Sequence, residues 1–169
     1  LLTTLAPGAW DESNVYTLPD AVAGQHTNIA TVTCTQGVTD SDPANYYGAA
    51  PCINIIIYVS DDGINWLDAN SPTGPVIPAG NNVYFKVNVS NCGNVNLTGI
   101  SVGDNIYGSV FNAGLLTTLA PGAWDESNVY ITAAVAGQHT NIATVTCTQG
   151  VTDSDPANYY GASLCINIV

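Results

Sequence analysis

The chain contains two nearly identical copies of one long segment, and this internal repeat constrains the fold more than any other feature. Residues 1–16 recur at 115–130, residues 21–49 recur at 134–162, and residues 52–55 recur at 165–168. The sequence of residues 56–114 occurs once. The offset between matching residues is 114 in the first segment and 113 in the others. Because solenoid repeats have periods of roughly 20 to 50 residues, each period here is predicted to be a whole domain.

Alternating apolar and polar residues predict that this domain is all-β. In residues 81–91 every second residue from Val83 to Val89 is apolar, and Lys86 lies on the opposite face. The same alternation predicts strands at residues 53–60, 96–103, 127–135 and 140–148. Turn-forming Gly, Pro, Asn and Asp residues separate these segments, and no segment has the periodicity of a helix. We therefore predict an Ig-like, Greek-key β-sandwich in tandem repeats of about 113 residues.

The phase of the repeat predicts where the domains begin and end. Residues 1–51 correspond to the C-terminal half of one repeat domain, because they match the end of the period. Residues 52–162 form a complete β-sandwich domain, in which residues 155–162 close the domain and lead through a short linker into the next repeat. Residues 163–169 begin the next repeat. Residues 1–50 then lack their front strands, which we expect a neighbouring subunit or a further stretch of the same long chain to supply.

The charge balance limits the partners of the chain. The chain has thirteen acidic residues and one basic residue, Lys86, which gives a net charge of −12. Such a surface excludes nucleic acid as a partner. No stretch approaches the roughly 20 apolar residues of a membrane span, so no membrane insertion is predicted within these residues. Five cysteines and a single lysine favour an extracellular or cell-surface location, and we expect the targeting signal to lie outside these residues.

An ordered series of short motifs runs through one period. They are INI at residues 53–55, DGINWLDA at 62–69, GPVIPAG at 74–80, VYFKVNVSNCGNVNLTGISVGDN at 83–105, LAPGAW at 119–124, GQHTN at 137–141 and VTDSDPANYYG at 151–161. Together they resemble the "domain of unknown function" repeat of very large secreted bacterial and archaeal surface proteins, which is related to β-sandwich modules of adhesins. The resemblance implies domains strung like beads, with a spacing, stalk or filament role and no catalysis.

The repeated phrase contains a candidate calcium site. Asp40 and Asp42 recur as Asp153 and Asp155, and each pair lies two residues apart in a predicted turn. Calcium prefers about 6 to 8 oxygen ligands, which such carboxylates and the following backbone carbonyls could supply in part. Alternatively, Asp42 and Asp155, which precede proline, cap the turn by accepting hydrogen bonds from their own backbone.

A second oxygen-rich loop contains Asp61, Asp62, Asn65 and Asp68, although its spacing does not match an EF-hand loop. Calcium is the one cofactor that the sequence predicts.

The cysteines leave two disulfide arrangements open. Each period carries three, here Cys52, Cys92 and Cys147, and three cannot all pair within one domain. In the predicted topology all three lie at one end of the domain, so two would bond and the third would meet a neighbouring domain or chain. The alternative pairs Cys34 with Cys52 and Cys147 with Cys165, which leaves Cys92 unpaired. A third possibility is a buried free cysteine.

Two acceptor patterns for N-glycosylation begin at Asn88 and Asn96. Both lie on predicted strands, and the alternation places Asn88 on the outward face.

No residue pattern predicts an enzyme. The chain has no Gly-x-Ser-x-Gly turn, and His26 and His139 recur only as parts of the repeat. Each predicted loop with a tryptophan contains only one, at Trp10, Trp66 or Trp124. A single tryptophan favours a side chain that covers the core rather than one that binds carbohydrate.

The sequence therefore predicts a structural repeat subunit of an extracellular filament, stalk or sheath. Its partners would be other copies of itself, joined by strand sharing and by contacts between successive domains. The alternative is a calcium-stiffened spacer repeat of a cell-surface adhesin.

Overall fold

A computed structural model describes residues 1–17, 20–163 and 165. The chain divides into two compact units, Leu1–Gly48 and Ala49–Val169. The boundary predicted from the repeat lies between residues 51 and 52, near this division.

The described elements are strands apart from one short helical turn, so the described part of the chain is all-β. The first unit contains β1 (Gly24–Thr33) and β2 (Thr39–Gly48). The strands described in the second unit are β3 (Ile53–Ser60), β4 (Val76–Pro78), β5 (Asn82–Asn91), β6 (Leu97–Thr98), β7 (Ser101–Asp104), β8 (Thr118–Leu119), β9 (Trp124–Glu126), β10 (Tyr130–Ala133), β11 (Gly137–Thr146) and β12 (Thr152–Ala162). A 3-10 turn spans Val110–Asn112.

The second unit contains two four-stranded sheets and a small two-stranded one. The first sheet has the order β10–β5–β3, and β9 also pairs with β5. The second sheet has the order β4–β12–β11–β7, and the small sheet joins β6 to β8. The strands pair antiparallel except that β4 runs parallel to β12. The two larger sheets share one core, which gives the unit a sandwich-like arrangement.

The core forms where the inner faces of the two sheets meet. The face predicted for residues 81–91 is confirmed, because Val83, Phe85, Val87 and Val89 are fully buried. Alternate residues of β3 join them from the neighbouring strand. From the opposite sheet, Tyr159 meets the Phe85 ring edge-on with 6.2 Å between ring centroids. Burial of each large apolar side chain contributes about 1.5–3 kcal/mol to stability.

The turn predicted at Asp153 and Asp155, and at their counterparts Asp40 and Asp42, is wrong, because these residues lie within strands β12 and β2. Proline is normally unfavourable inside a sheet because it has no N–H group. Pro156 is tolerated because it lies opposite Ile142, whose N–H donates to Asn105 Oδ1 (2.8 Å) on the side away from β12. The missing N–H of Pro156 therefore leaves no hydrogen bond of the β11–β12 pair unmade.

A disulfide joins Cys52, just before β3, to Cys92, just after β5. The Cα atoms are 4.9 Å apart, and the Cys92 N–H donates to the Cys52 carbonyl (3.1 Å). This is one of the pairs that the first arrangement allows, and the alternative pairing of Cys34 with Cys52 is wrong. Cys34 and Cys165 are exposed free thiols, whereas the half-buried thiol of Cys147 contacts the Val151 carbonyl (3.6 Å).

In the first unit the only described regular structure is the N-terminal hairpin, β1–β2. Its register runs from Gly24 opposite Gly48 to Thr33 opposite Thr39. Residues 1–16 form no described strand, although the identical residues 115–130 form β8, β9 and the start of β10. In the second unit these strands pair with β5 and β6, which belong to the segment that occurs once in the chain.

We expect the double substitution Cys52→Ser/Cys92→Ser to destabilise the second unit. The bond closes a segment with a sequence separation of 40, for which loss of the unfolded-state constraint costs about 4 kcal/mol. Urea unfolding followed by near-UV circular dichroism measures this difference. Cys34→Ser is the control, since that thiol is free, and equal midpoints for the double variant and the wild-type chain would contradict the prediction.

Candidate functional site: the docking face of the hairpins

The C-terminal hairpin, β11–β12, presents one face to the core of the second unit, and we call this its docking face. Side chains alternate across a strand, so every second residue shares a face. On β12 the docking face consists of Asp153, Asp155, Ala157 and Tyr159. On β11 it consists of Asn141, Ala143 and Val145. The apolar members lie over the core, and the two carboxylates lie at its rim.

The two carboxylates bind the backbone of β3. Asp153 Oδ2 accepts a hydrogen bond from the Ile55 N–H (3.0 Å), and Asp155 Oδ2 accepts one from the Ile57 N–H (2.9 Å). Both bonds join residues 98 apart in sequence, so β3 and β12 run in the same direction with matched spacing. β3 pairs with β5 on its other side. The aspartates therefore occupy N–H groups on an edge that would otherwise be open to another strand.

Electrostatics at this rim disfavour the charged form of Asp155. Partial burial raises the pKa of the Asp155 carboxyl, and the negative charges of Asp68 and Asp153 raise it further. The hydrogen bond from the Ile57 N–H acts in the opposite direction. Like charges are thus crowded at the point where the hairpin meets β3.

Asp62, in the second predicted calcium loop, is already engaged by its own loop. One oxygen accepts the N–H groups of Ile64 and Asn65 (both 2.8 Å), and the other accepts the Asn65 side-chain amide (2.6 Å). These bonds hold the pKa of Asp62 well below its usual range, and the largest contributions come from the backbone N–H groups of Asn65 and Ile64. Asp61 and Asp68 are exposed.

No three His, Cys, Asp or Glu side chains of the described residues are grouped to hold a metal ion. Calcium binding therefore stays a prediction, for the aspartate pairs as for the second loop.

The N-terminal hairpin carries the same residues on the same face, but there they are exposed. Val145 is 0% exposed, whereas its counterpart Val32 is 64% exposed. Ala157 is also fully buried, whereas its counterpart Ala44 is exposed. The other exposed members of this docking face are Asn28, Ala30, Asp40 and Asp42, and Tyr46 is half-buried.

The two hairpins have the same internal structure. Their registers match pair for pair. In each, the threonine of the GQHTN motif donates to the asparagine side chain opposite it, and the histidine stacks on the facing tyrosine with centroids 4.8–4.9 Å apart. The N-terminal hairpin is therefore formed by its own contacts, and the residues of its docking face have the same arrangement as those of the C-terminal hairpin.

Other predicted site residues lie elsewhere on the second unit. Asn88 is half-buried on the outer face of β5, between Ile56 and Glu126 of the neighbouring strands, and Asn96 is exposed just before β6. Lys86, also on the outer face of β5, forms an ion pair with Glu126 (3.0 Å).

The expectation that the tryptophans cover the core is wrong for Trp10 and Trp124, which are 77% and 63% exposed. Trp66 is half-buried, and the Lys86 Nζ atom lies over its ring, 4.9 Å from the ring centroid.

Sequence reasoning missed the backbone-binding role of the aspartates. The available signal was the spacing in Asp-Ser-Asp-Pro-Ala-Asn-Tyr, because period-two alternation places both carboxylates, the alanine and the first tyrosine on one face. Interpreted as a strand, this segment has an apolar half and an acidic half on the same face.

Asp153→Ala/Asp155→Ala should destabilise the second unit, because it removes the acceptors of two N–H groups. Each unsatisfied donor costs about 1–3 kcal/mol when it is kept from water, and partial exposure of this rim favours the lower end. Asp40→Ala/Asp42→Ala is the matched control, since it deletes the same residues from the exposed hairpin. Chemical unfolding of the second unit gives the comparison, and equal effects of the two double substitutions would refute this role.

The described residues include no helix that is long and apolar enough to cross a membrane. Comparison of the chain with protein-family profiles, with curated proteins and with solved structures found no match in any of the three.

Proposed function

We propose that the chain is a structural repeat subunit of an extracellular filament, stalk or sheath, assembled through strand sharing and contacts between successive domains. The observation that carries this proposal is the contrast between the two hairpins. The same sequence is buried in a sandwich in one copy and exposes its docking face in the other. An exposed, preformed docking face is a typical site of association.

The topology of the second unit supports an Ig-like domain as the repeating element. In Ig-like sandwiches the strands named A, B and E share one sheet, and C, F and G share the other. The sheet division supports this assignment, because β3, β5 and β9–β10 lie in one sheet and β7, β11 and β12 lie in the other. Tandem Ig-like domains of about 113 residues are the arrangement that we propose for the filament.

The covalent and charge properties support an extracellular location. The Cys52–Cys92 disulfide is of a kind that persists in oxidising compartments and is rare in the cytosol. With thirteen acidic residues and one lysine, stability cannot depend on many ion pairs. Burial, backbone pairing and the disulfide must supply it.

A calcium-stiffened spacer of a surface adhesin is the second candidate. It is favoured by the crowding of Asp68 and Asp153 around Asp155, where a divalent cation would relieve the repulsion. In this case the repeat would hold a binding domain away from the cell.

Purified chain should form linear particles if the first function is correct. Sedimentation velocity over a hundredfold range of concentration, together with negative-stain electron microscopy, measures this assembly. The proposal expects larger species at higher concentration and rods with a regular axial repeat. Compact monomers throughout the range would contradict self-assembly through these residues.

Millimolar calcium should raise the unfolding temperature relative to chelator if the second function is correct. Binding to the folded state alone stabilises it by about 2.7 kcal/mol at a free calcium concentration 100 times the Kd. Asp153→Asn/Asp155→Asn should abolish a shift that arises at the rim, whereas Asp61→Asn should leave it unchanged. Identical melting curves with calcium and with chelator would show that calcium does not bind the folded chain, and would refute the second function.

A further inference from the structure

We infer that the docking face of the N-terminal hairpin binds the front half of another copy of the chain whose own C-terminal hairpin is displaced. The front half is residues 53–104, which contain strands β3 to β7. In this complex Asp40 accepts the N–H of Ile55 and Asp42 accepts the N–H of Ile57 of the other copy. The inference rests on the proposed function, because it identifies the surfaces through which the copies assemble.

The second unit supplies the template for this complex. Its C-terminal hairpin is bound by the front half through two carboxylate–backbone hydrogen bonds and through apolar contacts with the core. The N-terminal hairpin has the same residues at every position of the docking face. Since both hairpins also share their register, the surface that fits one fits the other.

Chain length excludes the front half of the same copy as the partner. If Asp42 took the place of Asp155 opposite Ile57, Gly48 would lie six residues beyond that point along the strand, whereas Ile53 lies four residues before it on β3. At about 3.3 Å per residue, these ten residues separate Gly48 from Ile53 by about 33 Å. The five residue steps that join them span at most about 18 Å. Docking in this register therefore requires a front half other than residues 53–104 of the same copy, and a second copy of the chain supplies one.

Competition with the resident hairpin determines when the complex forms. The front half of each copy is already bound by its own C-terminal hairpin, so exchanging one hairpin for the other creates no new contact. The resident hairpin is also favoured by its high effective concentration on the same chain. The N-terminal hairpin therefore binds only a front half from which the C-terminal hairpin has been displaced. A substitution that prevents docking of the C-terminal hairpin should make this complex detectable.

Two matched substitutions in the full chain test this inference. Ala157→Asp places a charge at a fully buried position of the C-terminal hairpin and should prevent its docking. Ala44→Asp makes the same change at the exposed counterpart. The chains to compare are wild type, each single variant and the double variant. The measurements are cooperative unfolding by near-UV circular dichroism and mass by sedimentation velocity.

The Ala157→Asp chain should fold only by association, as head-to-tail oligomers or closed rings whose unfolding temperature rises with protein concentration. The double variant should lose both the oligomers and the cooperative transition. Ala44→Asp alone should unfold like wild type, because the resident hairpin still covers the front half. If Ala44→Asp changes nothing in the Ala157→Asp background, whether those chains are folded or unfolded, the inference is wrong.

These outcomes are independent of the filament test. Filaments that form from wild-type chain while Ala44 has no effect in the Ala157→Asp background would leave the proposed function intact and refute this interface. If the N-terminal hairpin rescues folding of the Ala157→Asp chain but wild-type chain forms no filaments, the interface is supported and the proposed function is refuted.

Discussion

The packing of the C-terminal hairpin on β3 and β5 is the interaction on which the rest of the second unit depends. It brings Ala157 and Tyr159 over the core and closes the apolar faces of both sheets against each other. Hydrophobic burial is the dominant favourable term in folding. Separating the two sheets would expose these faces to water, so the two halves of the domain stabilise each other.

An acidic chain with one lysine uses its carboxylates in a particular way. Asp153 and Asp155 accept backbone N–H groups of β3, and Asp62 accepts those of its own loop. These bonds need no basic side chain, which suits a composition in which the acidic residues outnumber the basic ones thirteen to one. At the rim they also occupy part of an open strand edge, so two aspartates contribute both to the fold and to control of what else can pair there.

The proposed assembly uses the same contacts within a domain and between copies. Strand exchange of this kind requires no separate interface, because the surface that stabilises one domain is the surface that joins two molecules. The short connection between Gly48 and Ile53 has the decisive effect, since it keeps the N-terminal hairpin from closing onto its own front half. In the proposed assembly the docking face therefore binds the front half of another copy.

Local sequence determined those features whose partners are near in the chain. The period-two pattern of residues 81–91 predicts β5 and its buried face, and both hairpins form with one register because their strands are joined by a short turn. Longer-range features needed the tertiary structure, among them the Cys52–Cys92 pair and the binding of Ile55 by Asp153. The two copies show the limit directly: residues 115–130 include three strand segments, whereas the identical residues 1–16 include none that is described. The physical reason is that β5 and β6, to which those segments hydrogen-bond, occur once in the chain, and a segment without a neighbouring strand has no inter-strand hydrogen bonds to hold it extended.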